Sequence, residues 1–401
     1  MIGIAKYTAG MAEWLAARGH EVRVVTAPPY YPAWQIGHGY SGAVYQRERS
    51  RDVSILRCPI YVPASPGGTR RLLHLLSFAV TSLPAMIWEA LTFRPQIVLS
   101  IAPAIFSAPV SRLAALSCGA SAWLHIQDFE IDVAFELNLL RGNGLRRLAL
   151  GVESLLLRSF GRVSSISPQM CRKIAAKGVA SDRIVEFRNW VNVGDIFPLS
   201  GPNDYRQALG LAPDQMLLLY SGNIARKQGL EIVIEAAAAL QSQSKPVFLI
   251  CGDGPGKADL LQESSHLSNV HFLPLQPTER LNELLNAADI HLLPQQAGAA
   301  DLVLPSKLTG ILASGRPVIA TAMPETALAQ EVAECGMTVP PNDANAFIAA
   351  IEVLVGDADR RIRLGAGARM RAEACWGQEM VLERFESQLM HLTSHPIGEC
   401  V

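Results

Sequence analysis

The sequence predicts an α/β protein built from two doubly wound parallel-sheet domains. Three observations predict it. Short apolar runs of strand length alternate with helical stretches, the pattern of a parallel sheet covered on both faces. The alternation stops once, in the turn-rich segment PLSGPND at 198–204, and then restarts. The 401 residues suffice for two or three domains, each with its own core.

The chain opens with a helix. Met11, Trp14 and Leu15 recur at helical spacing, and Gly19 ends the run. EVRVVTA follows, alternating and then apolar, as a buried strand. A domain of this class begins with a strand that feeds a glycine loop into its first helix. Here the chain starts within what that loop would be, at Gly3, so the first strand of the N-terminal domain is expected to be missing. No basic, apolar and cleavage-site succession precedes the helix, so no signal peptide is expected. VSILRCP, PQIVLSIA, ASAWLHIQ and RVSSIS are the next strands. After PLSGPND come QMLLLYSGN, a helix from Leu230 to Leu240, PVFLICGDG, NVHFLP, ADIHLLP and RPVIAT, with helices between them. The expected domains are 1–196, 205–375, and a C-terminal helix and tail over 376–401. No repeat of fixed period runs through the chain.

Composition removes several classes. Hydrophobic residues make up 49% and charged residues 18%, so a core is available to offset ordering entropy and the chain is not disordered. The seven cysteines are scattered, odd in number and never in a Cys-x-x-Cys pair, which disfavours a disulfide framework or zinc ribbon and fits reduced cytosolic thiols. The net charge of −1 hides a split. Residues 1–195 carry 21 Lys and Arg against 13 Asp and Glu, and residues 196–401 carry 14 against 23. Either the first half faces something anionic, or the two surfaces are unrelated.

Leu72 to Leu91 form twenty mostly apolar residues interrupted by Pro84. Such a segment can span a bilayer, fill a core, or lie in the membrane interface. A strand follows closely, which disfavours spanning. Arg70 and Arg71 just before it favour the interface, because basic residues beside an apolar face attract anionic lipid.

In open parallel sheets ligands bind beyond the carboxyl ends of the strands. Ser221 to Gly229 leaves a buried strand for a helix and holds Gly222, Asn223, Arg226 and Lys227. Glycines permit close backbone approach and the two cations suit a diphosphate; the plain alternative is a loop with two solvated cations. Gly252, Asp253 and Gly254 form a second glycine turn. It lacks the first Gly and the final Ser or Thr of a Walker A loop, and Gly256 comes one residue early for a dinucleotide fingerprint. ATP hydrolysis and NAD chemistry are therefore disfavoured. Lys307 opens a helix and faces either the same cleft or solvent. In the first half, His125 and Asp128 end a strand; a His beside a carboxylate can do acid–base work, and a buried His is as readily structural. Asp128, Glu130 and Asp132 lack the glycine and closing glutamate of a calcium loop, so no metal site is expected. No Gly-x-Ser-x-Gly elbow or His-Glu-x-x-His motif occurs.

Several motifs together resemble the retaining GT-B glycosyltransferases of family four, and within it the bacterial exopolysaccharide enzymes of the colanic acid fucosyltransferase type. They are GIAKYTAGMAEWLAARGHEVRVVTAPPYYP, LHIQDFEIDVAFEL, RNWVNVGDIFPL, YSGNIARKQGLE, CGDGPGK, AADIHLLPQ and DLVLPSKLTGILASGRPVIA, in family order over residues 3 to about 390. The resemblance implies two domains facing across a cleft and a nucleotide-sugar donor held mainly by the second. Arg226 and Lys227 would bind its diphosphate, Gly252, Asp253 and Gly254 would lie near the nucleoside, and Lys307 near the phosphates or sugar. Gly3 belongs to the loop closing over the diphosphate, and His125 and Asp128 would face the reacting carbon. The donor is a substrate, so no cofactor or metal is implied, and cations and helix N-termini must stabilise the leaving diphosphate. By resemblance the sugar is fucose from GDP.

The implied acceptor is a polyprenyl-diphosphate-linked saccharide at an anionic membrane surface, on the cytoplasmic face of the inner membrane; nucleic acid is not an expected partner. One departure concerns the Glu-x7-Glu motif of the wider family, whose positions fall on Leu302 and Gly310. Two other readings are a GT-B sugar-nucleotide epimerase, which needs no acceptor, and a truncated copy that binds nucleotide without turnover.

Overall fold

The structure, a computed structural model, describes residues 4–31, 33–64, 68–102, 106–129, 143–225, 228–241, 246–296 and 304–394. The chain divides into two compact units, residues 1–188 with 382–401, and residues 189–381.

The first unit begins with the helix Ile4–Ala17, which buries Met11, Ala12 and Leu15. Its strands are β1 (Arg23–Thr26), β2 (Gln46–Ser50), β3 (Val53–Arg57), β4 (Ile97–Ala102), β5 (Ser121–Ile126), β6 (Arg162–Ser165) and β7 (Ile184–Glu186). They form two sheets, β1-β3-β2 and β4-β5-β6-β7. The second is parallel throughout, with Leu99 beside Trp123 and Leu124 beside Val163. The first is mixed. β1 runs parallel to β3, whereas β2 runs antiparallel to it, with Arg47 beside Leu56. The antiparallel β2 is an edge strand added to the parallel pair. β2 and β3 are joined by Arg51-Asp52, both at positive φ (43° and 66°), the backbone of a tight hairpin turn.

No strand precedes the opening helix among the described residues, and no ladder there joins β1 to β4. β1 has no fully buried residue, whereas all of β5 after Ser121 is buried. Behind β5, Phe385 of the C-terminal helix Gln378–Ser394 stacks on Phe187 at 4.0 Å between ring centroids and meets Trp123 edge-on at 5.1 Å. On the same helix Glu386 pairs with Arg18 and His20, both at 2.8 Å.

The segment Leu72–Leu91 lies within one helix, Gly68–Phe93, with Pro84 inside it. It is not a core helix. Leu72, Leu73, Leu76, Val80, Trp88 and Leu91 are exposed, Val80 at 69% and Trp88 at 61%. The helix Ala108–Cys118 packs between it and the helix Asn143–Ser159. These two add exposed Leu113 and Leu116, and exposed Leu148, Val152 and Leu155. The acids of the three helices, Glu89 and Glu153, are buried and paired, Glu89 with Arg23 and Arg47 and Glu153 with Lys177. The outward face of all three is therefore leucine-rich, bordered by exposed Arg70, Arg71 and Arg147, and free of exposed acid.

The second unit is one six-stranded parallel sheet in the order β10-β9-β8-β11-β12-β13. The strands are β8 (Leu217–Ser221), β9 (Val247–Cys251), β10 (Val270–Leu273), β11 (Ile290–Leu293), β12 (Val318–Thr321) and β13 (Gly336–Val339). β8, β9, β11 and β12 are buried almost throughout, as strands with helices on both faces must be. The chain reverses its direction of travel between β8 and β11. The carboxyl ends of that pair form the switch point where a doubly wound sheet opens a crevice.

Candidate functional site

At the end of β8 and β9 two glycine turns lie backbone against backbone. Gly222 donates its N–H to Cys251 O at 2.9 Å, Ile224 to Asp253 O at 2.9 Å and Gly256 to Ile224 O at 3.0 Å. Gly252 and Gly254 have φ of +155° and +153°, which side-chain-bearing residues rarely adopt. Space excludes a side chain as well. A Cβ on Gly252 would sit 1.9 Å from Gly222 O, and one on Gly254 2.2 Å from Ile224 O. The glycines thus lock the two loops together and leave Asn223 and Asp253 exposed. Asp253 accepts the Gly254 N–H at 2.9 Å, and Lys257 donates to Gly252 O at 3.3 Å.

Lys307, in the first turn of the helix Lys307–Ala313, reaches this turn from the far side of the switch point. Its ammonium donates to the Tyr220 hydroxyl at 2.9 Å and to Gln228 Oε1 at 3.4 Å, and lies 4.1 Å from the Tyr220 ring centroid. The hydroxyl in turn donates to Asn223 O at 2.6 Å. Burial raises the Tyr220 pKa, so the phenol stays protonated and neutral. A Cβ on Gly222, at φ +148°, would lie 3.1 Å from the ammonium, so the cation sits close against this backbone. Gly229 closes the loop at φ +60° against Gln296. Thr321 at the end of β12 donates to Gln295 O at 2.7 Å and accepts the Gln295 N–H at 2.6 Å, holding the chain that leaves β11.

The structure thus brings Gly222, Asn223, Gly252, Asp253, Gly254 and Lys307 to one end of one sheet. Tyr220 and Gln228, which fix the lysine, were not singled out in the sequence. Strand alternation supplies a signal for Tyr220, because it shares a face with Gly222 two residues on. Gly3, Arg226 and Lys227 lie outside the described residues, as do Glu130, Asp132 and Leu302. Gly310 is a helix residue whose Cβ would touch Leu285 at 3.4 Å.

In the first unit His125 is 1% exposed on β5. Its Nε2 lies 2.9 Å from the Gln127 amide nitrogen and its Nδ1 2.9 Å from Ser164 Oγ, which also accepts from Trp123 Nε1 at 2.8 Å. An amide nitrogen only donates, so Nε2 accepts and Nδ1 carries the proton. Burial pushes the ring pKa down to about 3 and keeps it neutral. With both nitrogens engaged and Phe187 at 4.9 Å, the ring presents almost no surface to a ligand. Asp128, three residues on, is half-buried at the strand's mouth. Arg70 and Arg71 are exposed in the first turn of the 68–93 helix. Among the described residues no three His, Cys, Asp or Glu side chains are grouped to hold a metal, and the six described cysteines are free thiols.

Residues 3–190 match the Glycosyl transferase 4-like domain and residues 203–371 the Glycosyl transferases group 1 domain. A protein of Escherichia coli K12 named "Putative colanic acid biosynthesis glycosyl transferase WcaI" is 41% identical over 399 residues, which span 96% of this chain and 95% of that one. Among solved structures, sucrose-phosphate synthase from Thermosynechococcus elongatus has a TM-score of 0.75 at 21% identity, covering 98% of this chain and 94% of the other. HepE from Anabaena, solved in complex with UDP-glucose, has a TM-score of 0.67 at 14% identity, covering 93% and 100%. Those two likenesses are of fold, and the fold is GT-B. The matched domains and the full-length relative identify the chain as a glycosyltransferase, a member of the GT-B enzymes of family four.

Proposed function

We propose that the enzyme moves a sugar from a nucleotide-sugar donor to a lipid-linked saccharide in bacterial exopolysaccharide biosynthesis, with retention and without a metal. The observation that carries this reading is the ammonium of Lys307, held by Tyr220 and Gln228 beside the Gly222 turn at the switch point. That is where a diphosphate meets a cation beside glycine backbone that it can approach closely. Further support comes from HepE, whose structure holds UDP-glucose, and from the relative named for colanic acid biosynthesis.

In the proposed reaction the bond from the sugar's anomeric carbon to the diphosphate breaks, and an acceptor hydroxyl forms the new bond on the same face. The departing diphosphate gains charge, which Lys307, Arg226 and Lys227 offset. By resemblance alone, Gly3 is assigned a donor-binding role. The acceptor's proton leaves with the diphosphate, and Asp128 lies on the acceptor side with His125 holding Gln127 behind it. The sugar, by resemblance, is fucose carried on GDP.

The acceptor's lipid places the reaction at the cytoplasmic face of an anionic membrane. The acid-free leucine and arginine face of the three helices supports this, since such a face gains both apolar burial and attraction to anionic lipid. The test is transfer from GDP-fucose or UDP-glucose to a polyprenyl-diphosphate disaccharide in vesicles containing phosphatidylglycerol. Retained-configuration product is expected, with chelator present, and reversing Arg70 and Arg71 to Glu should weaken vesicle binding at least about tenfold. Conversion of donor alone would favour the epimerase, and nucleotide binding without product the non-catalytic copy. No turnover together with indifference to vesicles would end the proposal.

A further inference from the structure

Five of the eight tyrosines, Tyr30, Tyr31, Tyr40, Tyr45 and Tyr61, lie between residues 30 and 61, together with Trp34. The donor site, in the other unit, uses none of them. β1 and β3 are parallel, so the chain following each leaves the same edge of the sheet, and both segments are aromatic. In parallel sheets that edge takes ligands.

The segments are tied to one another through the first turns of the 68–93 helix. Buried His74 meets the Tyr30 ring edge-on at 4.7 Å between centroids and the Trp34 ring at 5.3 Å, with Tyr30 and Trp34 at 5.6 Å. Its Nδ1 donates to Tyr61 O at 2.6 Å, and the Tyr61 N–H donates to Ser77 Oγ at 3.0 Å. Tyr45 donates its hydroxyl to Thr81 O at 2.8 Å. Trp34 sits at φ +53°, a conformation a bulky residue adopts only when its surroundings enforce it. Trp34 is half-buried against Tyr30 and His74, and Tyr31 near it is 64% exposed. A strained Trp34 fixed by Tyr30 and His74, with exposed tyrosines on the same two segments, is an arrangement that suits a ligand-binding surface.

We propose that Tyr31, Trp34 and Tyr61 form a saccharide-binding platform that takes a hexose of the acceptor. A pyranose ring offers an apolar C–H face, which stacks on indole or phenol, and equatorial hydroxyls, which pair with tyrosine hydroxyls and the exposed Gln35 amide. His74, which anchors these segments, lies on the helix that carries exposed Leu72 and Leu73, so a lipid-linked saccharide would seat its sugar here and its lipid on the leucine face. The platform's place in the reaction rests on the acceptor half of the proposed function; sugar binding itself does not.

The test uses the full chain labelled with fluorotryptophan, the Trp34 resonance being assigned through Trp34→Phe. Cellotetraose, maltotetraose and galactotetraose are titrated to millimolar concentration, then vesicles of phosphatidylglycerol and phosphatidylethanolamine. A saturable shift of the Trp34 resonance with at least one tetrasaccharide is expected, unchanged by saturating GDP or UDP. Tyr31→Ala and Tyr61→Ala should each weaken it about fivefold. Tyr31 is exposed enough that its loss leaves the fold intact, as an unchanged melting temperature verifies. No saturable shift with any tetrasaccharide overturns the proposal, as does a Trp34 signal that moves with vesicles only, which makes the aromatics a membrane anchor. Transfer activity with a silent Trp34 sinks the platform alone, whereas sugar binding without transfer sinks the proposed function alone.

Discussion

Single residues decide whether the paired glycine turns of the second unit exist at all. Gly252 is the sharpest case, since a Cβ there would sit 1.9 Å from the carbonyl oxygen of Gly222 at a φ that side chains resist. Backbone is on the other side of the clash, so no flexible side chain can yield. Gly252→Ala is therefore expected to lower stability by about 2 kcal/mol and to part the two glycine turns. Gly151 supplies the contrast. It lies inside the 143–159 helix with nothing near its Cβ position, and Gly151→Ala is expected to raise stability by about 0.5–1 kcal/mol. Urea midpoints of the two variants check this, and movement in the same direction would contradict it. Lys307 was legible as a cation at a helix start. Its anchoring was not, because Tyr220 lies 87 residues away and only the sheet order brings the two together.

At the scale of elements, β5 and β11 each bury one histidine, His125 and His291, whose ring pKa burial pushes down to about 3. In the unfolded chain each titrates near 6.5. Between those values the unfolded state binds the extra proton, so stability falls as pH drops from about 6.5 toward 3. Each histidine lowers stability by up to about 2 kcal/mol near pH 5. Comparing urea unfolding near pH 7.5 and near pH 5 for the native chain and for His125→Asn tests this. The variant should lose less stability on acidification, whatever its stability at neutral pH, and equal losses would contradict the assignment. Strands of this kind were easy to read, since β5 and β8 to β12 are apolar runs bounded by turn residues. β2, β7 and β13 escaped notice. QRERS has no apolar residue and is held by its hairpin to β3, while IVE and GMTV are short edge strands fixed by their neighbours.

At the scale of the molecule, alternation and the break at PLSGPND showed two doubly wound halves. They did not show that residues 382–401 return to the first unit, because that depends on Phe385 finding Phe187 and Trp123. Nor did they show that the apolar 72–91 segment shares its exposed face with two further helices, since each of those contributes only two or three leucines or valines. The charge asymmetry between halves fits this arrangement: arginines border the apolar face of the first unit, and the cations expected to meet the donor are few and local in the second. In the proposed reaction these few cations hold a sugar-linked diphosphate. The most direct test is calorimetric titration of the full chain with GDP-fucose and UDP-glucose, beside Arg226→Ala/Lys227→Ala and Lys307→Ala. At least one donor is expected to bind, and the double variant to weaken it about a hundredfold; affinity unchanged in both variants would contradict the role of the cations.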